Sequence, residues 1–290
     1  KTNLMITGVD MEKIKKITKG FSGEEKWLVH YEQKQCLYRQ FDPQQYTQKK
    51  QEFSLLQQLF STGTQTYEPL EIGPNYMITS FLEGLDAEDT IGTLTATEQY
   101  QVGVDASADL RRVHAIKAKE NTWASYQKAK YERYRKTYHE RGYTYDFMPA
   151  VEQFINAHLH LLNGRPTHLQ HDDFHLPNLI IHNRHYAGVI DFGRFDWGDP
   201  VWDFVKLGLF SREHSIPFCM GLLEGYYDHH LPDDFWTLYT LYAGMLAFSS
   251  IIWADNIGQL QTTLPHVERM IQDHHGFQHI IPSWFKSIKF

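Results

Sequence analysis

Cysteine is scarce, long apolar runs are absent and basic residues are in deficit. Cys36 and Cys219 are the two cysteines in 290 residues. They lie far apart in apolar surroundings and read as reduced, buried thiols rather than a disulfide framework. No stretch of about 18 apolar residues is present to cross a bilayer, which disfavours a membrane partner. The first residues lack the hydrophobic core of a secretion signal, so the default expectation is a cytoplasmic location. Lys and Arg number 28 against 35 Asp and Glu, a net charge of −7. A nucleic-acid partner is disfavoured on that balance, because phosphate backbones want a basic face.

Apolar and aromatic residues are plentiful. Hydrophobic residues make up 42% and aromatics 14% of the chain, which fits one large domain or two lobes with a proper core and excludes a disordered chain. Residues 1–83 carry ten basic and ten acidic side chains, so the remaining 18 basic and 25 acidic residues hold the whole net charge. An acidic second half would attract a cationic substrate, and it also serves solubility.

The first eighty residues are strand-rich. Residues 26–31 and 35–41 form two short apolar runs around Glu32-Gln33-Lys34, which predicts a hairpin. Residues 44–60 take helical spacing, with Phe53, Leu55, Leu56, Leu59 and Phe60 on one stripe. Two further strands are predicted around 67–72 and 76–81, and Glu83-Gly84 then marks a boundary between an N-terminal lobe, 1–83, and a C-terminal lobe, 84–290. Beyond it the pattern is mostly helical. Helices are predicted over 97–116 with Thr97 as N-cap, 128–141, 146–162, and near 201–210, 215–229, 233–253 and 260–274. Pro200, Pro217, Pro232 and Pro265 are placed near the starts of the last four.

One segment interrupts the helices and carries chemistry: His171-Asp172-Asp173-Phe174-His175-Leu176-Pro177-Asn178, followed by Asp191-Phe192-Gly193. Two short apolar strands around a turn at 182–184 would return Asp191 to the side of Asn178. Asp173 is then the candidate catalytic base, and Asn178 and Asp191 are hard oxygen donors suited to Mg²⁺. His168, His171, His175, His182 and His185 crowd the same segment and raise zinc as an alternative. No His-Glu-x-x-His is present and the cysteines lie elsewhere, so His171 reads as a brace for the loop. Upstream, Gly20, Phe21, Ser22 and Gly23 form a small turn whose N–H groups suit nucleotide phosphates. Arg39 is a charge inside a strand, with Glu52 on the next helix as its natural partner.

In this order the pieces resemble the aminoglycoside phosphotransferase and choline kinase-like family, over nearly the whole chain. The matching motifs are Gly20–Gly23, Leu37-Tyr38-Arg39, Glu52, the hinge Ser80-Phe81-Leu82, residues 110–116, His171–Asn178, Ile190-Asp191-Phe192, and Gly198-Asp199-Pro200 with Asp203. The resemblance implies an α+β, bilobal protein kinase-like fold with a small β-rich N-lobe and a larger, mainly helical C-lobe. It implies Asp173 as base, Asn178 and Asp191 as Mg²⁺ ligands, and Arg39, oriented by Glu52, on the α- and β-phosphates. Ser80 and Leu82 would flank ATP or GTP at the hinge. Two departures stand out: Asp172 replaces the middle Gly of His-Gly-Asp, and Arg39 stands where many kinases have Lys.

The expected function is a small-molecule kinase that moves a nucleotide γ-phosphate onto a hydroxyl. A protein kinase is disfavoured, since no Ala-Pro-Glu follows and Gly198 lies only seven positions after Asp191. The acceptor is read as an aminoglycoside, held by Asp172, Asp196, Glu224 and Asp228, or as choline, a sugar or an amino alcohol stacked on aromatics such as Trp197 and Trp202. A non-catalytic nucleotide-binding scaffold is the competing class, and no self-complementary surface marks an oligomer.

Overall fold

A computed structural model describes residues 3–6, 9–18 and 23–286. Gly20, Phe21 and Ser22 of the predicted phosphate turn therefore lie outside the described residues. The chain opens with β1 (Asn3–Ile6), β2 (Val9–Ile17), β3 (Glu25–Tyr31) and β4 (Lys34–Gln40). The predicted hairpin closes at Glu32 and Gln33, both at positive φ (47° and 66°), the geometry that lets a two-residue turn follow strand twist. α1 (Tyr46–Ser61) buries Phe53, Leu55, Leu56 and Leu59 beneath the sheet. With β5 (Pro69–Gly73) and β6 (Tyr76–Ser80) the strands form one antiparallel sheet in the order β1-β2-β3-β4-β6-β5.

The chain then changes sheets. β7 (Leu85–Asp86) pairs with β9 (Leu179–His182), which pairs with β10 (His185–Val189). After the short α2 (Ala87–Thr90), α3 (Ala96–His114) begins at a capping box of Thr95 and Glu98, so Thr95 and not Thr97 is the N-cap. α4 (Trp123–Glu140) starts five residues earlier than predicted, and α5 (Met148–His158) ends in a 3₁₀ turn. β8 (His168–Gln170) pairs with β11 (Asp196–Gly198) and frames the segment between them.

α6 (Val205–Leu209), α7 (Ile216–Tyr226), α8 (Phe235–Asn256) and α9 (Leu260–Asp273) complete the helical part. Pro265 lies inside α9, not near its start as expected from the sequence. α8 corrects the reading of apolar runs: its mean hydropathy of 1.4 makes it long and apolar enough to cross a membrane, yet 89% of that stretch is buried in the protein. A helix apolar on every side can serve as the centre of a core, and α4, α5, α6 and α9 pack against it.

α3 and α7 meet backbone to backbone. A Cβ on Gly221 would lie 2.0 Å from Tyr100 O, and one on Gly103 would lie 2.3 Å from Phe218 O. Gly225 faces Ser107 and Val104 in the same way. Small residues at four-residue spacing on both helices allow this approach, and it fixes α3 behind the segment 171–178.

Candidate active site

Two hydrogen bonds hold the segment 171–173 from behind. Buried Asp203 accepts the N–H of His171 and of Asp172, each at 2.8 Å. Asp203 is itself met by His114 Nε2 at 3.0 Å, and His114 Nδ1 pairs with the Tyr226 hydroxyl at 2.8 Å. His171 accepts the Asp173 N–H at Nδ1 and its Nε2 faces Ile190 O at 2.9 Å. That pair of partners requires the neutral ring with its proton on Nε2, and burial pushes His171 below its ordinary value accordingly. His171 thus ties the segment to the strand that carries Asp191.

Asp172 explains the departure from glycine. Its φ is 62°, a left-handed conformation for which glycine is the default and which Asp adopts at modest cost. Its carboxylate accepts the Trp202 Nε1–H at 2.7 Å, and burial pushes it up to about 6 against the pull of Lys206 and Lys130. Lys130 in turn lies 5.3 Å over the Trp202 ring and 5.4 Å over Tyr126.

Asp173 sits among donors. Oδ1 meets Lys206 Nζ at 3.1 Å and His175 Nε2 at 3.2 Å, and Oδ2 accepts Asn178 Nδ2 at 3.2 Å. Burial pushes the carboxyl up, but Lys206 and then His175 outweigh it and hold Asp173 well below the usual carboxylate range. Such a carboxylate stays ionised and orients a hydroxyl better than it abstracts a proton early. Asn178 also donates to Asp173 O at 2.9 Å, so both amide hydrogens point at Asp173 and the carbonyl oxygen is left for another partner.

The hairpin closes as the sequence suggests. Ile190 N donates to Asn178 O at 2.9 Å, which places Asp191 next to Asn178. Asp191 is left-handed, at φ 64° and ψ 61°, and its N–H donates to Tyr67 Oη. Unusual backbone of this kind is commonly retained at functional sites. Gly193 gives the carboxylate room: a Cβ there would lie 3.3 Å from Asp191 Oδ1, 3.7 Å from Glu52 Oε2 and 3.9 Å from Lys49 Nζ. The donor set of one amide oxygen and one carboxylate fits Mg²⁺, which keeps several waters and phosphate oxygens of its own.

Across from this loop, Arg39 Nη2 contacts Glu52 Oε1 at 2.5 Å, while Lys49 pairs with Glu52 at 2.9 Å and also with Glu24. Burial opposes ionisation of Glu52, but Arg39 and Lys49 more than offset it and lower its value. Glu24 and Lys49 escaped the sequence reading. Lys49 carries a visible signal, three residues before Glu52 on the same helix. Ser80 locks β5 to β6, its N–H bonding Glu68 O and its hydroxyl accepting the Glu68 N–H, each at 2.8 Å. Leu82 packs at Gly188, and Phe81 between them lines a cleft of about 300 Å³ with Lys15, Lys16, Ile17, Thr18 and Leu28. Gly23 is left-handed at φ 67°.

The predicted acidic residues divide. Asp196 lies on β11 and accepts the Tyr126 hydroxyl at 3.0 Å, beside the Asp172 cluster. Glu224 is engaged by Tyr100 and Asp228 by Arg111, both on the face where α7 meets α3. A groove of about 560 Å³ lies between α1 and Phe195 and Trp197. None of its lining residues hydrogen-bonds Asp173, Asn178 or Asp191 among the described residues.

A small antiparallel sheet with a helix-anchored Arg–Glu pair, set against a helical part that presents Asp173, Asn178 and Asp191, is the kinase-like architecture. The chain belongs to the phosphotransferase enzyme family, whose sequence profile matches residues 13–236. Solved structures share the fold. The gentamicin complex of APH(2'')-IIa is 18% identical, with a TM-score of 0.61 over 90% of this chain and 91% of that one. ADP-bound APH(2'')-Ib is 17% identical, with a TM-score of 0.64 over 95% of each chain. A thermostable APH(4)-Ia with AMP-PNP and hygromycin B is 14% identical, with a TM-score of 0.68 over 92% of this chain and 95% of that one. No curated protein matches the sequence.

Proposed function

We propose that this protein transfers the γ-phosphate of ATP or GTP to a hydroxyl of a small molecule. The observation that carries the reading is Asp173, kept ionised by Lys206 and held 3.2 Å from Asn178, which stands beside Asp191. A carboxylate so fixed can orient a hydroxyl, and phosphoryl transfer asks mainly for positioning and charge stabilisation. Residues 1–83 act as the nucleotide lobe. The cleft at Phe81 takes the base, and Arg39 takes the α- and β-phosphates with Glu52 holding its side chain. Asn178 and Asp191 hold Mg²⁺, which when bound neutralises charge on the phosphates.

The acceptor oxygen forms its bond to the γ-phosphorus as the bond to the β–γ bridging oxygen breaks. The nucleoside diphosphate leaves with that electron pair, and the hydroxyl proton passes to the Asp173 carboxylate and on to solvent. Asp172 and Asp196 beside Asp173 suit an acceptor bearing ammonium groups. The gentamicin, streptomycin and hygromycin B complexes of the structural neighbours support the same class. Tyr126, exposed beside Asp196, favours a second reading, a hydroxylated metabolite that stacks on its ring.

The test is a thermal-shift and turnover screen of aminoglycosides, choline, sugars and amino alcohols with Mg²⁺-ATP and Mg²⁺-GTP. Asp173→Ala is expected to lower acceptor-dependent turnover at least ~100-fold while nucleotide binding persists. Unchanged turnover in that variant would sink the assignment. Nucleotide binding without turnover on any acceptor would favour the scaffold class.

A further inference from the structure

Lys206 lies in Phe204–Phe210, a run otherwise apolar, where a charge is out of place. Lysines are almost never buried unless paired, because burial penalises the ammonium ion. Burial lowers Lys206, yet Asp173 and then Asp172 outweigh it and hold it above its ordinary value. Neutralising those two carboxylates is one reason for it to be there. Both already have other donors, Trp202 on Asp172 and Asn178 and His175 on Asp173.

We propose that Lys206 is a further catalytic residue whose ammonium group holds an oxygen of the γ-phosphoryl group during transfer. The proposal rests on the phosphotransferase reading above. Its first support is reach. An acceptor oxygen bound to Asp173 lies about 2.6–3.2 Å from a carboxylate oxygen, and the phosphorus it attacks lies about 3–3.5 Å further on. Lys206 Nζ is 3.1 Å from that carboxylate at Oδ1, and its side chain is 15% exposed, so it is accessible from outside the core. A phosphoryl oxygen is then within range of Nζ without backbone movement.

The second support is hydrogen-bond capacity. An ammonium group has three donors, and among the described residues Lys206 gives one, to Asp173. The third is the distribution of charge. Arg39 and Lys49 are both committed to Glu24 and Glu52, beside the Asp191 turn, where the α- and β-phosphates are proposed to lie. The transferring group spreads charge over its three outer oxygens and gains from a cation aimed at them. Among the described residues Lys206 is the lysine or arginine that contacts Asp173, and it arrives from α6, 33 residues beyond the carboxylate it touches.

Titration calorimetry of the full chain with Mg²⁺ and either AMP-PNP or ADP tests this. Only AMP-PNP carries a γ-phosphoryl group, so K206M should weaken AMP-PNP about tenfold and leave ADP within twofold. K206R, which keeps the charge, should restore most of the difference, and K206Q supplies the comparison if K206M does not fold. Equal weakening of both nucleotides, or weakening of neither, overturns the proposal and makes Lys206 a counter-ion for Asp172 and Asp173. If the unaltered protein binds neither nucleotide, the phosphotransferase reading fails and this proposal with it.

Discussion

Asp172 shows how one side chain can be tolerated at two costs. Its left-handed backbone costs roughly 1 kcal/mol relative to glycine, and burial raises its carboxyl from 3.8 to about 6. A carboxyl raised on folding favours the folded state fully below its ordinary value, and that contribution is lost as pH climbs through about 6. Asp172→Asn keeps the left-handed preference and an acceptor for Trp202 but does not titrate. It should gain stability over the parent between pH 4 and 7, by about 3 kcal/mol at pH 8, in urea unfolding at matched pH. A constant offset across pH would contradict the burial argument.

At the scale of elements, the α3–α7 seam depends on the absence of side chains. Gly221→Ala improves helix propensity by about 1 kcal/mol, but the new Cβ meets the Tyr100 carbonyl oxygen at 2.0 Å, and backbone cannot swing aside. Overpacking costs about 1–3 kcal/mol or more, so a net loss near 2 kcal/mol is expected in denaturant unfolding. Gly92→Ala, where a Cβ meets nothing within 4 Å, is the control. Elements of this length were legible: β3–β4, α1 and β9–β10 announce themselves by periodicity and by the polar residues between the paired strands. β8 and β11, three residues each, are too short for any period, and Lys-rich β2 hides its alternation. The site follows the same rule. Asp173, Asn178 and Asp191 are joined by a local hairpin that spacing reveals. Lys206 and Glu24 gain meaning only when distant segments fold together, and Glu224 and Asp228 looked available because their partners Tyr100 and Arg111 lie over a hundred residues away.

The whole molecule converges on Asp199. It is fully buried and accepts from Arg165 Nε at 2.5 Å, from Tyr242 of α8 at 2.7 Å and from the Val201 N–H at 3.1 Å. Trp123 of α4 donates to the same Tyr242 hydroxyl at 2.9 Å. One carboxylate thus gathers α4, α8 and the stretch after β11. Asp199→Ala strands a guanidinium and a phenol and should cost about 3 kcal/mol, lowering the unfolding midpoint of the chain. A loss below about 1 kcal/mol would show that Arg165, one-quarter exposed, finds water instead.

The anchoring of the segment 171–178 has a consequence for descent. Asp203, His114 and Tyr226 grip His171 and Asp172 from the interior, whereas Lys130, Tyr126 and Asp196 stand around the segment on partly open ground. Substitutions in the second group alter that open rim while the first goes on holding the backbone. Under the proposed function, a lineage built this way exchanges one acceptor for another without rebuilding the inner anchor.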